Sequence, residues 1–208
     1  MKAKNLHKIL VCICFAVLIL SCNKDEEDTT TNSNNEDADI TLQIGSSYGG
    51  GVIAYIYQNG DSGYLSGQTH GIVVAPTDQA EFSEWGCFGS FIGCGSTSIG
   101  AGVENTNSIV ANCSEIGIAA RLCANLNSNG FSDWYLPSKN ELSAIMNNRS
   151  TINTALSSIG GVSLDPSAVY WSSSESSSSK AFCYYTAFNT VESKDKDFSF
   201  MVRAIRSF

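Results

Sequence analysis

The chain has 208 residues, a formal charge of −8 and 43% hydrophobic residues. That is enough apolar material for one packed core, and it excludes wholesale disorder. Lys2, Lys4 and Lys8 precede any acid, so the chain beyond residue 22 holds nine basic against twenty acidic residues. Such a surface repels phosphates, and nucleic acid is excluded as a partner.

After the three lysines, an apolar run extends from Ile9 to Leu20. At about 12 residues it is too short for a bilayer span, which needs about 20. A positive start and a short apolar run predict a signal peptide over residues 1–22. The run ends in Ile19-Leu20-Ser21-Cys22, which resembles a bacterial lipobox. The resemblance implies lipid attachment at Cys22, hence a membrane partner through acyl chains and no spanning helix. Residues 23–39 hold seven acids, one lysine and no aromatic residue, the composition of a solvated acidic tether. Within it, Asn23-Lys24-Asp25-Glu26-Glu27 resembles the export signal of Bacteroidota-type surface lipoproteins. That resemblance implies a lipid-anchored, outward-facing protein of the outer membrane; the alternative orientation faces the periplasm.

From residue 40 no long-period repeat is visible, which removes solenoids and propellers. Residues 51–57 (GVIAYIY) read as a strand, with Asn59-Gly60-Asp61 as turn chemistry after it. Residues 63–66 and 71–75 continue as short strands. Residues 76–106 read as a long loop carrying Trp85, Phe88 and Phe91, a length that implies function or crosslinks. Ile109, Cys113, Ile116, Ala120 and Cys123 then recur at helical spacing. A second helix starting near Ser114-Glu115 is the competing reading. After the aromatic link 131–137 (FSDWYLP), Ser138 and Glu141 predict a capping box. Leu142, Ile145 and Met146 form the apolar stripe behind it. Residues 168–172, 181–188 and 198–205 read as strands. The order indicates an α+β domain over residues 40–208, with helices grouped on one side of an antiparallel sheet.

Several fragments fall in one order: Gly49-Gly50-Gly51-Val52-Ile53-Ala54-Tyr55, Trp85-Gly86-Cys87-Phe88-Gly89, Asp133-Trp134-Tyr135-Leu136-Pro137-Ser138, Tyr170-Trp171-Ser172-Ser173, and Val202-Arg203-Ala204 with Arg206 and Phe208. Over residues 45–208 this resembles the Lcl C-terminal-domain family. The resemblance implies a C-type-lectin-like fold with small antiparallel sheets, two main helices and long loops. The family's namesake domain belongs to a bacterial collagen-like adhesin associated with glycosaminoglycan binding. Display and adhesion are therefore implied, without a defined reaction. The Glu-Pro-Asn, Gln-Pro-Asp and Trp-Asn-Asp triplets of calcium-dependent lectins are missing here. No calcium-bridged sugar site is expected, and neither a metal nor a cofactor.

Trp134 and Trp171 are expected in the core, with Asp133 bonded to nearby backbone. Arg203 is expected to bond a buried acid, Glu175 or Asp133. His70 is the single histidine after the signal peptide, and no catalytic residue is assigned. Cys87, Cys94, Cys113, Cys123 and Cys183 are the disulfide candidates, and their odd number leaves one or more unpaired. On one unbroken helix, Cys113 and Cys123 would stand about 15 Å apart. A disulfide tolerates about 7 Å, so that pair is excluded in such a helix. Cys87–Cys113 is the favoured bridge, bracing the long loop against the helical region.

The sequence thus reads as a tethered, non-enzymatic binding or adhesion module for a glycan or protein ligand, with loops 76–106 and 173–180 as its candidate surface. The alternatives are an extracellular polymer-processing enzyme and a structural component of a surface assembly. Eight basic against thirteen acidic residues from position 40 favour a neutral glycan or a protein over a sulfated polymer. That preference reverses if Arg203, Arg206, Lys194 and Lys196 gather into one patch.

Overall fold

The first sheet is antiparallel and joins both ends of the domain. It holds β1 (Ser47–Tyr48), β2 (Gly51–Ile56), β3 (Gly71–Val74) and the last strand, β9 (Ile205–Ser207), in the order β1-β2-β3-β9. The computed structural model describes residues 42–208. The lipobox with Cys22 and the acidic segment 23–39 lie outside the described residues. The β2 and β3 sequences are nearly continuous apolar runs, and all of β3 is buried. Such runs suit strands covered on both faces. The expected strand at 63–66 is instead a series of turns.

The second sheet has the order β4-β8-β5-β6-β7. Its strands are β4 (Ala80–Glu84), β5 (Val169–Glu175), β6 (Lys180–Tyr185), β7 (Thr190–Asp195) and β8 (Ser199–Val202). β5 and β8 run parallel, so the sheet is mixed where an antiparallel one was expected. Two tryptophans lock β4 against β5. Trp85 donates its indole N–H to the Ser172 carbonyl and Trp171 donates to the Ser83 carbonyl, each at 2.9 Å. Both rings are fully buried, satisfying their one polar atom as buried indoles must.

Among the described residues there are four helices: α1 (Gly102–Asn112), α2 (Ala119–Ala124), α3 (Lys139–Asn147) and α4 (Arg149–Ser158). The Ser138 hydroxyl accepts from the Glu141 N–H, and the Glu141 carboxylate accepts from the Ser138 N–H, completing the predicted capping box. Leu142, Ile145 and Met146 are buried as their spacing requires. The periodic stretch at 109–123 is two helices, not one. The chain breaks at residues 113–118, where Gly117 has φ of +75°, and Ile116 is 89% exposed instead of joining the apolar face. The fourth helix, α4, buries Ile152 and Leu156.

Candidate functional site

The expected long loop begins with a strand. β4 occupies one edge of the second sheet, and the chain leaves it through Gly86 (φ +99°) and Cys87 (φ +50°). A left-handed cysteine costs about 1–2 kcal/mol, so this turn must be held from outside. Cys87 is bridged to Cys113, with Cα atoms 5.8 Å apart, and its N–H donates to Glu115 Oε2 at 2.9 Å. The favoured bridge thus forms; it ties the loop to the end of α1. Cys94, Cys123 and Cys183 are buried free thiols.

Residues 86–95 are then clamped from beneath by an ion pair. Glu175, at the end of β5, accepts from the N–H groups of Ile92 and Gly93 at 2.9 and 2.8 Å. Lys196 donates to Glu175 Oε1 at 2.5 Å and to the Ser90 carbonyl at 2.8 Å. Its ammonium lies 4.5 Å from the centre of the Trp85 ring. Gly89 N–H donates to the Ser178 carbonyl at 3.0 Å. Every anchor comes from the inner side of the loop. Phe88 and Phe91 are left facing solvent, 53% and 70% exposed. An aromatic ring held on a fixed backbone loses little further conformational freedom on binding.

The adjoining surface of β4 is also apolar. Phe82 is 79% exposed and stands between two open concavities of about 380 and 630 Å³. The smaller is floored by Val169, Phe200 and Met201; the larger runs along the 114–118 link past Ile116 and Ile118. Glu115, which fixes the Cys87 N–H, lines the larger one, so the two apolar surfaces are neighbours. The sequence reading named Phe88 and Phe91, missed Phe82, and placed Ile116 on the apolar face of a helix.

The other candidates are structural. Trp134 and Trp171 are buried. Residues 173–175, expected in a polar loop, are buried members of β5. Arg203 does not bond Glu175 or Asp133. It donates to Asp78 at 2.6 Å and to the carbonyls of Ala75 and Val162, because the break between β8 and β9 turns it into the 75–79 segment. Burial nevertheless raises the Asp78 carboxyl, more than the Arg203 contact lowers it. Asp133 pairs with Arg206 at 2.7 and 2.8 Å, and those hydrogen bonds hold its carboxyl below the ordinary range. His70 sits between the Phe208 carbonyl and the Gln68 side chain, 3.0 Å from each.

The cations expected to decide the ligand do not gather. Lys196 and Arg203 are buried on Glu175 and Asp78, Arg206 is on Asp133, and Lys194 is on Glu192. The free thiols are poor nucleophiles. Burial pushes Cys94 and Cys183 up to about 12 and raises Cys123 further. Cys87, Cys113 and Glu115 lie close enough to hold a metal ion, but the two sulfurs are spent in the disulfide. Among the described residues, every buried side-chain nitrogen or oxygen has a partner, and no helix is long and apolar enough to cross a membrane.

An α+β domain presenting aromatic side chains from a crosslinked loop is the class that these observations define. The chain belongs to the Lcl C-terminal domain family, whose model matches residues 96–206. The match contains Glu175 and Lys196 and begins just after the loop they clamp. No curated protein matches the chain. Among solved structures it is similar to a fimbrial protein from Bacteroides ovatus, with 17% identity and a TM-score of 0.51. The alignment covers 66% of this chain and 35% of that one, so the likeness is one of fold and the chain spans about a third of the neighbour's length.

Proposed function

We propose that this protein is a surface-anchored lipoprotein whose domain binds a glycan or protein ligand without turning it over. The observation that carries the reading is the loop 86–95, which exposes Phe88 and Phe91 while a disulfide and a buried ion pair fix its backbone. Exposed aromatic groups cost solubility, and their rigid support on one face marks an interaction surface. A C-type-lectin-like chain path is part of the proposal. β9 returns beside β3, and Gly71 and Phe208 exchange both backbone hydrogen bonds, so the first and last strands share a sheet.

Family membership and the fold of a fimbrial protein support a display role. The chemistry points the same way: burial keeps the thiols protonated, and both ring nitrogens of His70 are engaged, by the Phe208 carbonyl and the Gln68 side chain. Anchoring rests on Cys22 and outward display on Lys24 to Glu27. The test has two arms. Intact cells treated with a non-penetrating protease should lose the domain, and Cys22→Ala should abolish incorporation of labelled fatty acid. Purified protein should bind an immobilised neutral-glycan or protein array unchanged by chelator, with Phe88→Ala and Phe91→Ala lowering retention. Protection in intact cells, or equal labelling of Cys22→Ala, overturns the anchoring and display. Release of cleaved polymer overturns the non-enzymatic reading.

A further inference from the structure

Charge pairing across the domain is uneven, and the imbalance falls on one apolar surface. All eight basic residues from position 40 onward are engaged. Five form ion pairs, with Asp78, Asp133, Glu175, Glu192 and Asp195. Arg121 and Arg149 donate to backbone carbonyls, and Lys139 lies over the Phe182 ring. Among the described residues the remaining carboxylates form no ion pair, although Arg149 lies near enough to Asp165 to favour its charge. Of these, Glu81 and Asp165 line the smaller concavity beside Phe82, and Glu84 and Glu115 line the larger. No lysine or arginine lines either.

The floor between these carboxylates is apolar. Phe82 rises as a ridge, Ile116 is almost fully in water, and Val169, Phe200, Met201 and Ile118 lie below. Apolar side chains stranded in solvent favour a partner that buries them, by about 25 cal/mol per Å² of area covered. The rim decides which partner. A sulfated or phosphorylated polymer would meet four like charges. The chain's own 23–39 segment, with seven acids and one lysine, would meet the same repulsion. A cationic polypeptide meets complementary charge, which steers its encounter and fixes its register.

We infer that the Phe82–Ile116 surface docks a basic segment of a partner protein: lysine or arginine side chains on the carboxylate rim, bulky apolar side chains against Phe82 and Ile116. The inference rests on the binding-module reading and narrows its ligand to a protein.

The full-length protein in detergent is titrated with a synthetic peptide of alternating lysine and leucine. A glutamate–leucine peptide, heparin and a neutral oligosaccharide array are the other arms. The lysine–leucine peptide alone should bind, with affinity falling as salt rises. Phe82→Ala and Ile116→Ser should each weaken it about tenfold. Glu81→Gln with Glu84→Gln should weaken it about fivefold and flatten the salt dependence. A control removes the same charge elsewhere, at Glu104 and Glu192, and should change binding less than twofold. All substituted side chains are at the surface, and each variant is checked for an unchanged thermal midpoint. Equal losses in the control pair show attraction to net charge alone and overturn the proposal. Binding of heparin or a neutral glycan that ignores Phe82→Ala overturns it too, while leaving the domain a binding module. If no arm binds, the proposal falls, and retention on the protein array of Proposed function decides the wider reading separately.

Discussion

Lys196 Nζ lies 2.5 Å from Glu175 Oε1, and neither side chain has any solvent-accessible surface. The pair spans 21 positions of sequence and holds a third segment, since the remaining bonds of both groups go to Ser90, Ile92 and Gly93. Two ions in a dry interior are costly, and the cost is offset only when each bond is made. Here the carboxylate has three donors. The ammonium has two acceptors and the face of Trp85.

Removing one partner should therefore cost more than removing both. Lys196→Met leaves Glu175 buried without a counter-charge and should destabilise the domain by about 3–5 kcal/mol. Lys196→Met with Glu175→Gln should recover part of that loss, because the glutamine carbonyl still accepts from Ile92 or Gly93. Urea unfolding of the two variants and the parent checks the order. A double variant less stable than Lys196→Met alone refutes the account.

The Cys87–Cys113 bridge closes a loop with a sequence separation of 26. Restricting the unfolded chain by that much is worth about 3.5 kcal/mol. Cys87→Ser with Cys113→Ser should lower stability by about that amount. The left-handed backbone at position 87 would then lose its covalent tie and keep only hydrogen bonds, from its N–H to Glu115 and from Ser90 N–H to its carbonyl. Phe88 and Phe91 should become more accessible to proteolysis before the core unfolds. Limited chymotryptic digestion followed by mass analysis of the first cut checks this. A first cut elsewhere counts against a disulfide-held loop.

How much of this was legible depended on the range of each contact. The α3 cap was readable because Ser138 and Glu141 are three residues apart and satisfy each other locally. The polar strand β4 (AEFSE) was not, because it owes its conformation to pairing with β8 over a hundred residues later. α4 carries Thr, Asn and Ser at most positions, and forms because Ile152 and Leu156 find the core. Arg203 was readable as a buried, paired arginine, but not its partner: Asp78 is 125 positions away, and sequence offered two other acids. Ile116 fitted the helical spacing yet lies in water, because Gly117 ends the period that placed it inward. The docking ridge was hidden for the same reason: Phe82 and Ile116 approach one another only once β4 and the 114–118 link are folded.

Acid should reveal the Asp133–Arg206 pair. Arg206 holds the folded carboxyl below its ordinary value of 3.8. A lowered folded value means that the pair's contribution is complete above about 3.8 and is lost as pH falls through the depressed value. Glu141 and Asp78 act oppositely, since burial raises both and their ionisation costs the fold more as pH rises. Asp133→Asn should lower the thermal midpoint by no more than about 3 °C at neutral pH, because the carboxylate is half in water. The deficit should shrink as pH falls below the ordinary value of 3.8 and vanish once the folded carboxyl is protonated. Melting curves of both proteins across that interval check it, and a constant deficit would contradict the assignment.

The three free thiols supply a test of both the fold and the anchor. Cys94, Cys123 and Cys183 are buried, and burial raises all three, with Cys94 and Cys183 at about 12. At pH 8 the thiolate fraction of a group at about 12 is roughly one in ten thousand, and alkylation requires the thiolate. Folded protein should therefore resist iodoacetamide, and labelling should begin only as the domain unfolds. Unfolded without reductant, the mature chain should take up three labels, because Cys87 and Cys113 are bridged. On the proposed lipoprotein reading, Cys22 carries lipid on its thiol and Cys12 and Cys14 leave with the signal peptide, so none of these adds to the count. Intact-mass analysis of membrane-extracted protein reads the number directly. Labelling of the folded state would show that the thiols are not buried; a fourth label after unfolding would show that Cys22 carries no lipid, whereas a fifth would show that the Cys87–Cys113 bridge is open.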